Sequence, residues 1–108
     1  MASDAQALRG MLGLCQRSGK LQSGTDTVIR AIRSGACRLA LIDGGATANT
    51  VKKITDPCIY YRVPYLLLPP GMLGEACGRE GRMAAAVLDA GFAARLTQMN
   101  ADNQTKDH

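Results

Sequence analysis

Apolar residues recur along the chain in two ways, at helical spacing and as short unbroken runs. Leu8, Met11, Leu12 and Cys15 stand three and four residues apart, which lines one face of a helix. That helix is expected to start near Ser3 or Asp4, either of which can cap it, and to stop at Ser18-Gly19. Val28, Ile29, Ala31 and Ile32 repeat the pattern in a second helix. It should open at Gly24-Thr25 and end at Ser34-Gly35, where glycine takes the left-handed terminating conformation. Steps of ~100° per residue set Asp26, Arg30 and Arg33 together on its outer face. The intervening Lys20-Leu21-Gln22-Ser23 is at most a short strand.

Leu39-Ala40-Leu41-Ile42 is a continuous apolar run between Arg38 and Asp43, the pattern of a strand buried on both faces. Tyr65 to Leu68, closed by Pro69-Pro70-Gly71, reads as a second buried strand, and Met83 to Leu88 as a third. Between the first two, a helix from about Thr47 carries Val51, Ile54 and Cys58 inward. Pro57 is expected to kink it or to begin a fresh turn. Met72 to Cys77 makes a short helix ending at Gly78, and the polar loop Arg79-Glu80-Gly81-Arg82 follows. Asp89 should cap a last helix with Phe92, Leu96 and Met99 on one side. Residues 100–108 are expected to form a polar flexible tail. Strands alternating with helices over residues 1–99 imply one α/β domain, a compact α/β/α sandwich.

Composition narrows the function. The 108 residues are 46% hydrophobic and 20% charged, an ordinary folded balance for one domain. No apolar run approaches the ~18 residues of a membrane span, and the first residues carry no basic-then-apolar leader, so a cytoplasmic protein with no membrane partner is expected. The formal net charge is +4, and its distribution says more than its size. Arg9, Arg17, Lys20, Arg30, Arg33 and Arg38 face one acid, Asp26, over that stretch, a local balance of +5. Aromatics are only 4%, which argues against a single-strand binder built on stacking platforms. Cys15, Cys37, Cys58 and Cys77 are far apart, with no CxxC pair, and the one histidine is His108. Zinc needs ligands at chelating spacing, so buried, reduced thiols without metal are expected.

Catalysis has no positive support. The usual general base is missing because the chain has no internal histidine. Asp43-Gly44-Gly45 follows a buried strand, where open α/β sheets place ligands, yet neither GxGxxG nor GxxxxGK[ST] is present. Asp43 is most simply a strand terminator and the glycines a turn. Neither an enzyme nor a cofactor is expected. Gly24 at a helix start is more informative, because unpaired N–H groups and the positive dipole end make a natural anion site. Lys20 precedes it, and Arg30 and Arg33 extend the positive surface. Taken singly, these arginines are a solvated face paired with Asp26 and Gly24 is a helix entry; together they favour nucleic acid.

The segment from Lys20 to Gly35, KLQSGTDTVIRAIRSG, resembles the signature helix of the ribosomal protein 7Ae and 30e superfamily of kink-turn RNA binders, in its small bacterial branch. Leu73-Gly74-Glu75-Ala76-Cys77-Gly78 is similar to that family's "LGxAxG" turn, and Val63-Pro64-Tyr65 to its entry to the preceding strand. The order of elements agrees from about Leu8 to Met99. The resemblance implies a three-layer α/β/α sandwich with a four-stranded mixed sheet. It also implies a site where the second helix start meets the loop after the "LGxAxG" turn. In the family pattern "GTNExxK", the glycine and the positions after it approach the backbone and tandem sheared G·A pairs of kinked RNA.

Here Gly24 and Thr25 match that pattern, Asp26 stands for asparagine, Thr27 for glutamate or glutamine, and Arg30 for lysine. Arginine keeps a phosphate contact and adds a fork that reaches guanine edges. Asp26 cannot donate a hydrogen bond and repels phosphate. Arg79 and Arg82 replace the apolar residues with which many kink-turn binders pack on an extruded base, favouring phosphate or stacking contacts. These departures bear on kink-turn selectivity more than on RNA binding. The expected partner is structured RNA, kink-turn-like and ribosomal or translation-associated, bound by a monomer without DNA. The site is Lys20, Gly24, Thr25, Asp26, Thr27, Arg30, Arg33, Arg79 and Arg82. Two alternatives stand beside it, a protein-interaction module on the same fold and an anion or nucleotide binder using Asp43-Gly44-Gly45.

Overall fold

The computed structural model describes residues 2–105. Its elements are α1 (Ala2–Arg17), β1 (Leu21–Ser23), α2 (Thr25–Ser34), β2 (Leu39–Asp43), α3 (Ala48–Tyr61), β3 (Tyr65–Leu68), α4 (Met72–Cys77), β4 (Ala84–Val87) and α5 (Ala90–Thr105). The four strands form one mixed sheet in the order β1-β4-β2-β3. β4 runs antiparallel to both β1 and β2, whereas β2 and β3 are parallel.

Strand alternation divides the interior into two cores. Leu39, Leu41, Ala85 and Val87 face α1, α4 and α5, packing with Leu8, Leu12, Cys15, Leu73 and Leu96. Ala40, Ile42, Ala84 and Ala86 face α2 and α3, packing with Val28, Ile32, Ile54 and Cys58. Because helices cover both sides, β2 and β4 are buried at every residue and carry no polar alternation. This is the three-layer α/β/α sandwich with a four-stranded mixed sheet.

Several helix ends follow local chemistry. Gly35 caps α2 at φ 84°, the Thr47 hydroxyl accepts from the Thr50 N–H at 3.2 Å, and the Asp89 carboxylate accepts from the Phe92 N–H at 2.9 Å. The expected Ser3 or Asp4 cap of α1 rests on side chains outside those described.

Other expectations need correction. Pro57 lies inside one continuous α3 rather than starting a fresh turn. The hydrogen bond it cannot donate belongs to the Lys53 carbonyl, on a turn whose lysines are exposed and where water can replace it. β3 is not fully buried, because it occupies the sheet edge and leaves Tyr65 and Leu67 exposed. α5 continues to Thr105, and Asn100 is buried at 7% exposure, so the helix passes the point where a tail was expected; residues 106–108 lie outside the described residues. Cys15, Cys37 and Cys58 are buried, but Cys77 is only half-buried. Burial pushes the Cys15 and Cys37 thiols up to about 11 and Cys58 up to about 12.

Candidate functional site

Two segments distant in sequence meet because β1 and β4 are antiparallel neighbours. The register sets Ser23 opposite Ala85 and Leu21 opposite Val87, so the end of β1 lies at the start of β4. Gly24 therefore sits beside the loop that feeds β4, and its N–H donates to the Ala84 carbonyl at 3.0 Å. Its backbone, at φ 112° and ψ 133°, is one that L side chains rarely adopt. A Cβ at this position would lie 3.2 Å from Arg82 Nη1. The bare glycine thus lets a guanidinium from the second segment rest against the start of α2.

That start is open. The Gly24 carbonyl accepts from the Val28 N–H at 2.9 Å, but no side chain caps the helix. Among the described residues no hydrogen bond reaches the N–H groups of Thr25, Asp26 or Thr27. Three unpaired donors and the positive dipole end are therefore presented beside Arg82. Arg30 stands on the exposed side, where its Nη2 donates to Thr27 Oγ1 at 3.4 Å. The Asp26 side of the helix is exposed as well.

The second segment is shaped by α4. Gly78 ends that helix at φ 70°, and the Arg79 N–H donates back to the Gly74 carbonyl at 3.0 Å. Gly74 keeps this turn close, since a Cβ would lie a tight 3.1 Å from the Arg79 carbonyl oxygen and push it back by a few tenths of an ångström. Arg79 and Arg82 line one concavity of about 450 Å³, with Glu75 and Glu80 on its wall. Glu75 is engaged by Arg9 at 2.8 Å, which partly neutralises that wall. Cys77 lies between the two segments, and burial pushes its thiol up, an effect that nearby Ser23, Arg82 and Arg79 only partly oppose.

The arrangement brings together Gly24, Thr25, Asp26, Thr27, Arg30 and Arg82 at the start of α2, while Arg79 lines the adjoining concavity with Arg82. It does not bring Lys20 there. Lys20 precedes β1 and its carbonyl accepts from the Leu88 N–H, so it sits at the opposite end of the strand, ~13 Å along the chain from Gly24. Arg33 is likewise displaced. It projects from the last turn of α2 into a groove shared with Lys53, Tyr60 and Tyr61, residues that the pattern of apolar positions does not single out.

Asp43-Gly44-Gly45 is corrected outright as a ligand site. The Asp43 carboxylate is 1% exposed and accepts from Gly45 N–H at 2.9 Å and from Gly71 N–H at 3.0 Å and 3.1 Å, one distance to each oxygen. It is a clasp between the β2 turn and the start of α4. Gly44 is there for packing, because a Cβ would lie 2.6 Å from the Leu68 carbonyl oxygen.

Comparison with known proteins bears on the family and the fold. The model of the ribosomal protein L7Ae/L30e/S12e/Gadd45 family matches residues 6–97. The RNA-binding protein YlxQ of Bacillus subtilis (strain 168) is 43% identical over 90 residues, covering 82% of this chain and 90% of its own. A protein of unknown function from Bacillus halodurans C superposes with a TM-score of 0.81 at 32% identity, over 85% of this chain and 94% of that one. The Giardia lamblia 15.5kD RNA binding protein has the same fold, with a TM-score of 0.72 at 16% identity, over 92% of this chain and 89% of its own.

Proposed function

The chain belongs to the ribosomal protein L7Ae/L30e/S12e/Gadd45 family, and from that membership we propose that it binds structured RNA through the α2 start and the loop before β4. The observation that carries this reading is the position of the Arg82 guanidinium, 3.2 Å from where a Gly24 Cβ would stand, beside three unpaired N–H groups. An RNA backbone approaches closely only where no side chain intervenes, and a phosphate is then met by helix donors and a guanidinium at once. Binding of this kind involves no bond-making step and no cofactor.

The finer reading is a kinked internal loop in a ribosomal or translation-associated RNA. A kink turns two backbones toward one protein surface, which suits a site made from two separate segments. Arg30 and Arg82 each offer a fork that fits the O6 and N7 of guanine, the base such loops expose. No helix among the described residues is long and apolar enough to cross a membrane.

The test compares an RNA carrying a kinked internal loop with a plain duplex of equal length at physiological salt. Tighter binding of the kinked RNA is expected. Equal affinity for both removes the selectivity and leaves a basic surface only, and failure to bind either removes the function.

A further inference from the structure

The outer surface of α2 and α3 carries a second set of nucleic-acid chemistry outside the site above. A groove of about 840 Å³ runs between the helices and continues into a smaller hollow of about 410 Å³, Arg33 and Tyr61 lining both. Lys53 and Tyr60 stand on the first part, Arg38 and Arg62 on the second. Asp26, two residues from Gly24, forms the near end, so the groove leads directly away from the α2 start. It follows α2 from Asp26 to Gly35, ~13 Å along the axis. That is roughly the rise of four stacked nucleotides.

The tyrosines are placed to stack. Val51, Ile54 and Cys58 take the inner face of α3, which leaves Tyr60 78% and Tyr61 44% exposed. Their rings meet edge to face, with centroids 4.8 Å apart and planes at 75°, so the two brace each other while Tyr60 stays largely open to solvent. Aromatic residues are scarce in the chain, but two of the four are concentrated here.

Arg62 adds an independent observation. It ends α3 at φ 59°, the one described non-glycine residue with positive φ. The same capping position holds Gly35 in α2 and Gly78 in α4, which adopt it without strain. An arginine there carries a conformational cost for folding, so its side chain has a use that glycine cannot supply. Charge in the groove favours phosphate. Four cations line it, and of the two carboxylates Asp56 is drawn off by Lys52 at 3.3 Å.

We infer that this groove holds a single RNA strand leaving the structured element bound at α2, its phosphates on Arg33, Lys53, Arg38 and Arg62 and one base on Tyr60. The inference rests on the RNA-binding reading above, and the test separates the two. Affinity is measured for a kinked RNA with blunt stems and for the same RNA extended by six unpaired nucleotides at either end. The unmodified protein is expected to bind one extended RNA about tenfold more tightly than the blunt one. Tyr60→Ala and Arg62→Gly should each remove most of that gain while leaving affinity for the blunt RNA unchanged.

Arg62→Gly should also keep or raise Tm, which separates lost contact from lost fold, and should reduce the salt slope by about 0.7. An extension that adds nothing, or a gain that survives both substitutions, overturns the inference and leaves the groove to a protein partner. Failure of the blunt RNA to bind at all overturns the function proposed for α2 instead.

Discussion

Gly24 and Gly71 both open a helix with positive φ, 112° and 85°, and each start presents first-turn N–H groups that need an acceptor. At α4 the place is taken. Asp43, 28 residues away, delivers its carboxylate to the Gly71 N–H, its Oδ1 accepts from the Leu73 N–H at the long distance of 3.5 Å, and the Met72 N–H donates to the Pro69 carbonyl at 3.2 Å. At α2 no acceptor arrives, and what arrives is the guanidinium of Arg82. The same local device is closed by a carboxylate at one helix and left open beside a guanidinium at the other. What distinguishes them is the charge that the sheet brings across, not the glycine.

The largest effect should come from breaking the closed turn. Asp43→Ala removes the hydrogen bonds that a buried carboxylate accepts from the Gly45 and Gly71 N–H groups, at ~1.5–3 kcal/mol for a hydrogen bond to a charged group. A loss of about 2–5 kcal/mol in chemical denaturation is expected, with the folded fraction still binding RNA as the parent does. A loss below about 1 kcal/mol would mean that the carboxylate is replaceable by water and the clasp is not structural.

Exchanging the glycines sharpens the comparison further. Gly24→Ala and Gly71→Ala each place a Cβ at positive φ, which costs ~1–2 kcal/mol at Gly71 in the left-handed region and more at Gly24, whose ψ of 133° lies outside it. Only the first also meets Arg82, at 3.2 Å, whereas the Gly71 position is open. Both variants should lose stability, Gly24→Ala the more, but among folded molecules Gly24→Ala alone should bind kinked RNA more weakly, by about tenfold or more. Equal RNA affinity in the two would separate binding from the α2 start.

Much of this was readable in the chain, for identifiable reasons. The spans of α2 and α4 follow from their apolar spacing and terminal glycines, and the buried centre of the sheet from the unbroken run at Leu39 to Ile42. Strand order does not follow from local pattern, so β3 reads as buried although it is an edge. Nor does the partner of Asp43, because Gly71 becomes a neighbour only through the parallel pairing of β2 with β3. The site divides in the same way. Gly24, Thr25 and Arg30 are local to one helix start, and Arg82 reaches it through the β1–β4 register. Lys20 precedes Gly24 by four residues, yet an extended strand carries the two apart rather than together.

Arg30 gives a smaller test of the open turn. As a solvated surface group it should be replaceable by alanine without effect, since exposed ion pairs contribute little. As a phosphate contact, Arg30→Ala should weaken all RNAs alike and lower the salt slope by ~1. As a reader of a guanine edge, it should cost ~1–3 kcal/mol only for RNAs that keep that base. Titrations at several salt concentrations with the guanine present and replaced distinguish the three.

Asp26 should give the smallest effect, and one of opposite sign. Its carboxylate lies in the first turn of α2, where a negative charge suits the helix dipole by ~0.3–1 kcal/mol at an exposed site. It also lies beside the donors that face RNA, where the same charge repels phosphate. At ~6 Å in water that repulsion is about 0.7 kcal/mol, or roughly threefold in affinity. Asp26→Asn should therefore bind kinked RNA about threefold more tightly while losing a few tenths of a kcal/mol in stability. The gain should shrink as salt rises, because a charge screened beyond ~8 Å at physiological ionic strength acts only on the nearest phosphates. An increase that is independent of salt would instead assign the gain to the new amide donor. No change even at low salt would turn Asp26 away from the RNA at the α2 start and leave Arg82 as the margin of the site.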